Sequence, residues 1–266
     1  MSPPAPAWSQ RRFFLAEEPR DARARLAPSD EEHARRVLRV RDGDEILGLD
    51  GKGGVWPLRV RRSDTRAFEL DVLGPPAREP AAGEPGAALP WIEVAVSLPK
   101  GSRSEDLLEA LVQLGAAAWT PLVCSRTEGA ARELSPERLA RLERVAREAL
   151  KQSRRAWLPL LNPPSTPAEL ANAREGARLA VLSPTSRETL LEWALAPDAR
   201  THSISGSREA PIVLVVGPEG GLTAEESAHL AERGARSLAL GPHVLRVETA
   251  ATAALAVLAC ALFRRP

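Results

Sequence analysis

One stretch of this chain, residues 212–226 (IVLVVGPEGGLTAEE), restricts the possible folds more than any other. Its first five residues are apolar and mostly β-branched, which is typical of a strand buried on both faces. Three glycines follow within residues 217–221, where they let backbone amides approach a ligand closely. Thr223 and Glu226 form a capping-box pair, so a helix is predicted to begin there. A strand, a glycine turn and a helix N-terminus in this order indicate a site for a nucleotide-like cofactor.

A second loop of the same character lies closer to the C-terminus, at residues 240–250 (LGPHVLRVETA). It also joins a predicted strand to a predicted helix through a Gly-Pro pair, and the helix is expected to start near Thr249. Arg246 and Glu248 precede that start, so both are candidate reacting groups. Either loop alone is equally well explained as an ordinary turn between a strand and a helix. Two such loops, each at the carboxyl end of a strand in a parallel sheet, are expected to converge on one ligand.

Several common catalytic motifs are absent from the sequence. The loop at 217–221 does not match GxGxxG, and it lies near the C-terminus, whereas a dinucleotide site follows the first strand. Neither GxxxxGK[ST] nor GxSxG occurs, so a P-loop and a nucleophile elbow are excluded. The four histidines have no HExxH or other ligand spacing, and no metal site is predicted.

The chain divides into two parts that differ in their pattern of predicted elements. The first contains short strands separated by glycine turns, such as the hairpin turn at 50–54, which is typical of a small β-barrel. Residues 75–90 are rich in proline, glycine and alanine and are predicted to be a linker without regular structure. Beyond them, strands alternate with helices, which predicts an α/β fold with a parallel sheet. The predicted strands are 45–49, 55–60, 68–73, 91–98, 119–124, 178–182, 212–216 and 236–240, and the predicted helices are 33–40, 102–114, one opened by Ser135-Pro136, and the almost wholly apolar 249–263.

Composition and charge restrict the function less than the loops do. The net charge of +1 gives no indication of a nucleic-acid partner. Only three of the 36 basic residues are lysine; arginine suits phosphate and base-edge recognition, although a GC-rich genome produces the same bias. Residues 1–7 lack the apolar segment of a signal peptide, and the longest apolar run, 250–263, is too short to span a bilayer. Cys124 and Cys260 lack CxxC spacing and are predicted to be reduced core thiols, so a cytoplasmic location is expected.

The two glycine-proline loops also carry a resemblance to a known family. Residues 216–226 (VGPEGGLTAEE), followed by 240–250 (LGPHVLRVETA), resemble the SPOUT class of knotted methyltransferases. Within that class the sequence is similar to the ribosomal RNA small-subunit methyltransferase E family, which makes 3-methyluridine in 16S rRNA. The similarity extends over nearly the whole chain through short matching segments, namely Arg11–Phe14, His33, 37–39, 50–51, 98–101, 114–115, 121–122, Gln152 and Arg155.

The resemblance implies an architecture, a cofactor and a partner. Residues 9–74 would form a PUA-like β-barrel that binds RNA, 75–90 a linker, and 91–266 a SPOUT methyltransferase domain with a parallel sheet and a deep trefoil knot, a feature otherwise almost absent from proteins. The family binds S-adenosyl-L-methionine in the knot, acts as a homodimer and modifies 16S rRNA of the small ribosomal subunit, with neither a membrane nor a metal involved.

The resemblance also assigns roles to particular residues of this sequence. The implied cofactor-binding residues are Leu182, Gly217, Glu219, Gly220, Leu240, Leu245, Thr249 and Ala250, with Glu248 in the same pocket. The implied RNA-binding residues are Arg11, Arg12, Arg35, Arg36, Arg39, Lys100, Arg126, Gln152 and Arg155. Each of these basic residues, taken singly, is equally consistent with a solvated surface side chain; as clusters they favour phosphate binding.

The chemistry of uridine methylation suggests roles for two catalytic candidates, Arg246 and Glu248. Uridine N3 carries a proton and is a poor nucleophile until that proton leaves. A cationic Arg246 would stabilise the anion that develops on the base. Glu248 or Glu219 would accept the proton, and an equal alternative is that the carboxylate orients the cofactor. Alignment of the methyl group for in-line displacement would supply much of the rate.

Some positions depart from the family pattern. Ala110 stands where relatives carry lysine, Cys124-Ser125 replace a Ser-Glu pair, and Lys151 and Arg154 replace Glu and Gly around Gln152. Because the cofactor loops are intact, the target of methylation is the property most open to change. Two other functions fit the sequence: a SPOUT enzyme that methylates another RNA or another atom, such as a ribose 2′-hydroxyl, and an RNA-binding or assembly protein that keeps the fold without catalysis.

Overall fold

The computed structural model describes residues 11–62, 68–99, 102–127, 134–174, 176–196 and 206–264. The chain divides into two compact units, Met1–Ala81 with Leu150–Leu158, and Ala82–Ala149 with Pro159–Pro266. The division falls inside the predicted linker, but residues 150–158 belong to the first unit, whereas the sequence analysis assigned them to the second.

Side-chain and backbone hydrogen bonds explain why residues 150–158 belong to the first unit. The Lys151 ammonium pairs with the Asp30 carboxylate at 2.9 Å, and Asp30 is only 3% exposed. The same carboxylate accepts a hydrogen bond from the Phe14 N–H. The N–H of Ala156 donates to Glu79 at 2.7 Å, and its carbonyl accepts from the Gly53 N–H. A salt bridge with one fully buried partner needs such additional donors to offset the loss of hydration.

In the described part of the first unit, six strands form one sheet in the order β1-β3-β4-β5-β2, with β6 paired to β4. Only the β1–β3 pair is parallel. Phe13, Ile46, Leu58 and Leu70 fill the core beneath it, together with Ala34 of the helix α1. The elements are β1 Arg12–Phe14, β2 Arg23–Ala24, α1 Pro28–Arg36, β3 Glu45–Leu49, β4 Gly54–Arg62, β5 Glu69–Val72 and β6 Ala77–Arg78.

The described part of the second unit contains a six-stranded sheet in the order β12-β10-β11-β7-β8-β9, with every neighbouring pair parallel. This confirms the predicted α/β fold with a parallel sheet. The strands are β7 Ile92–Ser97, β8 Ala118–Leu122, β9 Leu160–Leu161, β10 Arg178–Leu182, β11 Ile212–Val216 and β12 Arg236–Leu238. The helices are α2 Arg103–Gln113, α3 Pro136–Ser153 (of which residues 150–153 belong to the first unit), α4 Pro167–Ala173, α5 Leu190–Leu195, α6 Ala224–Glu232 and α7 Val247–Leu262.

Helices cover the faces of this sheet, as its apolar strands require. The central strands β7 and β11 are fully buried, which agrees with their nearly continuous apolar sequences. Helices α4 and α6 share a core cluster with Ala95, Val213 and Val215. Helix α7 packs against α2, α5, β7 and β11. No helix in the described residues has both the length and the apolar character needed to cross a membrane.

A buried carboxylate lies inside the second unit, in the central strand β7. Glu93 is 2% exposed. Arg174 donates to both of its oxygens, from Nε to Oε2 at 2.7 Å and from Nη2 to Oε1 at 3.0 Å. The Thr120 hydroxyl adds a hydrogen bond to Oε1 at 2.6 Å, and the Asn162 amide donates to Thr120. This network supplies the donors that an ionised group in a parallel sheet needs.

Two helices begin two or more residues before their predicted starts. Helix α1 begins at Pro28, because proline fits the first helical position and Asp30 and Glu31 favour the positive helix end; the prediction began it at 33. Helix α7 begins at Val247, since the Ala250 N–H donates to the Arg246 carbonyl, so Thr249 and Glu248 lie inside its first turn.

Two other sequence predictions are wrong. Residues 77 and 78, inside the predicted unstructured linker, form β6, because neither is proline and both pair with β4 at Val55 and Gly54. Cys260 is exposed and is not a core thiol, since the buried stripe of α7 runs through 251, 254, 255 and 258 and leaves 260 outside it. Cys124 is buried, as predicted.

Candidate active site

Three loops meet at one edge of the parallel sheet of the second unit. They follow the carboxyl ends of β10, β11 and β12, and neighbouring parallel strands bring those ends to the same edge. The loops line a cavity of about 390 Å³ that is more apolar than polar. A cavity of this size, at the carboxyl edge of a parallel sheet, is a common place for a small ligand to bind.

Most of the predicted cofactor residues line this cavity. The sequence prediction that the two glycine-proline loops converge is confirmed, since residues from both contribute to one wall. The predicted residues that line it are Leu182, Gly217, Glu219, Leu240, Leu245, Ala250 and the catalytic candidate Arg246.

Three predicted residues do not line the cavity. Gly220 presents its carbonyl to Arg126, at 2.7 Å from the guanidinium. Glu248 and Thr249 lie in the first turn of α7, and Thr249 is exposed there. Arg246, Val247 and Ala250, on either side of them in the chain, do line the cavity.

Other lining residues were missed at the sequence level. They are Ser183, Pro184, Val216, Pro218, Gly221, Leu222, Gly241, His243, Val244 and Val247. Ser183 and Pro184 directly follow β10, so a search for every strand end in the predicted parallel sheet would have found them. The Ser183 N–H donates to the Leu238 carbonyl at 2.9 Å, and this bond fixes the loop beside β12.

The glycine loop after β11 is a tight turn. The Gly221 N–H donates to the Pro218 carbonyl at 2.8 Å, and Gly221 has a φ of 69°, in the left-handed region. A residue with a side chain would be strained at that φ, so glycine is required for the turn. Thr223 then caps α6, and its hydroxyl accepts the Glu226 N–H in the predicted capping box.

Arg246 occupies the position before the first turn of α7. Its backbone is extended, its side chain is exposed, and it lines the cavity. Among the described residues, no carboxylate forms an ion pair with it. The guanidinium and the positive end of α7 therefore create a positive potential at one end of the cavity, which would favour an anion.

Glu248 is held by a residue from another helix. Arg103 of α2 donates from Nη1 to Oε1 of Glu248 at 3.2 Å. The second carboxylate oxygen, Oε2, is buried and has no hydrogen-bond donor among the described residues. An unpaired buried acceptor costs free energy, so the Arg103 bond satisfies only one of the two carboxylate oxygens.

Glu226 joins the start of α6 to the segment after β8. Its Oε2 accepts the Thr223 N–H at 2.7 Å, and its Oε1 accepts the Ser125 N–H at 2.6 Å. Burial raises the pKa of Glu226, but the N–H groups of Thr223 and Ser125 outweigh burial and hold it below its usual range. The preceding residue, Cys124, is a buried thiol whose pKa burial raises to about 12, so it stays protonated and unreactive.

We expect Glu226→Gln to lower the free energy of unfolding by about 1–3 kcal/mol at neutral pH, because an amide has only one oxygen for the two N–H donors. The folded-state pKa of Glu226 is depressed, so its stabilisation is full above the usual glutamate pKa and is lost as pH falls through the lower folded-state value. Urea unfolding between pH 3 and about 7 measures both effects.

The matched control is Glu169→Gln, because Glu169 forms the same capping box at the start of α4 but, in the described part of the chain, its carboxylate bonds to its own cap residue Thr166 alone. A smaller loss is expected there. Equal losses in the two variants would show that the bond to Ser125 adds nothing.

The predicted RNA-binding residues of the first unit differ in how exposed their side chains are to solvent. Arg11, Arg36, Arg39 and Gln152 are exposed, although Arg36 lies 2.8 Å from Glu32. Arg35 bonds to Glu31 and lies over the Phe68 ring, so it serves the core of this unit. Lys100 lies outside the described residues.

Arg12 and Arg155 are partly buried in the first unit. The Arg12 guanidinium donates to the Arg154 carbonyl at 2.7 Å, and burial, followed by the charge of Arg154, lowers its pKa. Burial also lowers the pKa of Arg155, and the charge of Glu79 opposes that shift. Both side chains are therefore less available to a ligand than Arg36 or Arg39.

The class of this protein follows from its similarity to known proteins. The RNA methyltransferase domain family matches residues 87–259. The chain is 33% identical over 237 residues to ribosomal RNA small subunit methyltransferase E from Synechocystis, and the aligned region covers 89% of this chain and 72% of that protein. It is also 33% identical over 235 residues to the enzyme of the same name from Mycobacterium bovis, with 84% and 80% covered.

A solved structure agrees with this assignment. Ribosomal RNA small subunit methyltransferase E from Neisseria gonorrhoeae, bound to S-adenosyl methionine, superposes with a TM-score of 0.75 at 26% identity and covers 94% of this chain and 96% of that one. The fold and the site thus define an RNA methyltransferase. The chain belongs to the ribosomal RNA small subunit methyltransferase E family.

Proposed function

We propose that this protein transfers a methyl group from S-adenosyl-L-methionine to N3 of a uridine in 16S rRNA. The observation that carries the proposal is the cavity at the carboxyl edge of the parallel sheet, which both family loops line and at which Arg246 is presented. Membership of the family supports the substrate class, and the uridine N3 position follows from the family resemblance.

The cavity suits S-adenosyl-L-methionine in size and character. Leu182, Leu240, Leu245 and Ala250 offer an apolar surface for adenine, and the glycine loop offers backbone groups for the polar parts of the cofactor. Gly217 and Glu219, in the loop after β11, would contact the cofactor directly. Gly220 and Thr249 would act through their backbone groups or from the rim of the cavity.

The residues of this chain would have the following roles in the reaction. When bound, S-adenosyl-L-methionine supplies an electrophilic methyl group on a sulfonium sulfur. Arg246 stabilises the negative charge that develops on the uridine ring as N3 loses its proton. Glu219, which lines the cavity, accepts that proton; Glu248, which does not line it, is the second candidate acceptor that the sequence suggested. The apolar walls exclude water and hold the reacting atoms in line.

The first unit is proposed to be a PUA-like barrel, within residues 9–74, that binds the phosphate backbone of RNA. Its six-stranded sheet and its exposed arginines Arg11, Arg36 and Arg39 support this role. We therefore expect RNA affinity to fall steeply as salt is raised.

The second unit, within residues 91–266, is proposed to carry a trefoil knot and to dimerise. The strand order supports a knot, since the chain leaves edge strand β12 and returns to pack α7 against β7 and β11. Exposed apolar side chains on and near α5 and α7, namely Leu191, Leu195, Val244 and Phe263, support a homodimer interface. A ribosomal substrate implies a cytoplasmic location.

Two measurements test the proposed function. Calorimetry of the full-length protein with S-adenosyl-L-methionine should give one binding event per chain. Incubation with labelled cofactor and small subunits from a strain lacking this protein, followed by mapping of the labelled nucleotide, should give 3-methyluridine in 16S rRNA. Binding without transfer, or no binding, would favour a non-catalytic RNA-binding protein, and a different labelled atom or RNA would overturn the assignment.

A further inference from the structure

We propose that Arg126 is a positioning residue of the cofactor site, which holds the glycine loop 217–222 in its binding shape. The family resemblance implies an RNA contact for Arg126, and the geometry points to this different role. The inference rests on the proposed function, because the loop is the part of the cavity assigned to the cofactor.

The Arg126 guanidinium is bonded to the backbone of the glycine loop. Its Nη1 donates to the Gly220 carbonyl at 2.7 Å and lies 3.4 Å from the Leu222 carbonyl. Both carbonyls belong to the turn between β11 and α6. A charged donor to a carbonyl forms a stronger bond than a neutral one. One exposed side chain therefore contacts two positions of the loop, with its strong bond at Gly220.

The stem of Arg126 also packs on this loop. A Cβ added at Gly220 would lie 3.3 Å from the Cδ of Arg126 and 3.4 Å from its Cβ. Glycine at 220 therefore serves the approach of the arginine, in addition to any approach of a ligand. The two adjacent glycines thus differ in role: Gly221 allows the left-handed turn, and Gly220 lies in close contact with the stem of Arg126.

The backbone that carries Arg126 is itself anchored at several points. The Cys124 N–H donates to the Thr127 hydroxyl at 2.9 Å, and the Thr127 N–H donates to the Cys124 carbonyl. The Thr127 hydroxyl also lies 3.2 Å from the Ser97 hydroxyl at the end of β7. Thr127 is 6% exposed. The segment 124–127 is thus a closed turn tied to the central strand.

Glu226 connects this turn to the other side of the glycine loop. Its carboxylate accepts the N–H of Ser125, next to Arg126, and the N–H of Thr223, directly after Leu222. The glycine loop is therefore held between the guanidinium of Arg126 and the carboxylate of Glu226. These two side chains come from distant parts of the sequence. The Ser125–Glu226 hydrogen bond, for example, joins residues 101 positions apart. A loop fixed before binding loses less conformational entropy when the ligand arrives.

The test uses the full-length protein with Arg126→Met and Arg126→Lys. Methionine keeps an unbranched apolar stem but donates no hydrogen bond, so we expect the Kd for S-adenosyl-L-methionine to rise about 10- to 100-fold, as for a lost charged hydrogen bond. Lysine can reach one carbonyl and should restore part of the affinity. The KM for RNA at saturating cofactor should stay within about twofold of the wild-type value, because Arg126 bonds to the glycine loop and not to an RNA phosphate.

A second readout does not depend on the cofactor. Hydrogen exchange of the Glu219 to Leu222 amides should become faster in Arg126→Met than in wild type, while exchange in β7 stays the same. The control is Arg233→Met, since Arg233 is a surface arginine that donates to Asn172 away from this loop. It should leave the Kd and the exchange rates unchanged.

The outcomes separate this inference from the proposed function. Unchanged loop exchange in Arg126→Met, together with a raised KM for RNA, would overturn the inference and restore Arg126 to RNA binding. If the wild type binds no S-adenosyl-L-methionine, the proposed function fails, and loop exchange alone then decides whether Arg126 fixes the loop. If Arg126→Met does not fold, the same measurements on Arg126→Lys decide the question.

Discussion

Replacing Arg246 with alanine is expected to lower the rate of methyl transfer by about 10²–10³-fold, the cost typical of losing one donor to a developing anion. Arg246 lines the cavity, its side chain is exposed, and it forms no ion pair among the described residues. Its loss therefore removes charge from the site without removing a contact that the fold needs. Single-turnover transfer of labelled methyl to small subunits measures the effect on the chemical step.

Two further variants make the Arg246 result specific. Arg246→Lys keeps the positive charge without the planar fork and should recover part of the rate. Arg236→Ala removes an arginine from β12 that pairs with Glu188 at the surface, and it should leave the rate unchanged. The thermal midpoint of Arg246→Ala should match that of the wild type. Full activity in Arg246→Ala would end its assignment as the residue that stabilises the anion.

Replacing Arg174 with methionine is expected to lower the free energy of unfolding by about 3–5 kcal/mol, the usual cost of leaving a buried partner unpaired. Arg174 makes both of the charge-assisted hydrogen bonds to Glu93, which is 2% exposed in the central strand of the parallel sheet. Without the arginine, the buried Glu93 carboxylate loses both of these hydrogen bonds. Denaturant unfolding at neutral pH measures the loss.

The buried pair also predicts how a double variant behaves. Replacing both partners, as Glu93→Leu with Arg174→Met, removes the uncompensated charge and should be more stable than Arg174→Met alone. Arg233→Met again serves as the control, because its partner Asn172 is at the surface. Equal stability of Arg174→Met and the wild type would mean that the Arg174–Glu93 pair adds nothing to the stability of the fold.

The elements that the sequence determined are those governed by short-range rules. The apolar run at 212–216 and the capping box of Thr223 and Glu226 locate β11 and the start of α6 at the predicted residues. The alternation of strands and helices also determined the parallel sheet and, through it, the edge at which the cofactor loops meet. Buried strand periodicity and helix capping each depend on a few neighbouring residues, which is why they can be read from the sequence.

The tertiary structure alone decided which side chains act together. Arg174 and Glu93 are 81 residues apart, and Arg126 and Gly220 are 94 apart, so no local pattern joins them. The end of β10 marks the following loop as a candidate, but its place at the cavity depends on the strand order, in which β10 lies between β11 and β12. Hydrogen bonds between distant segments depend on strand order and side-chain direction, and both are set when the whole sheet assembles.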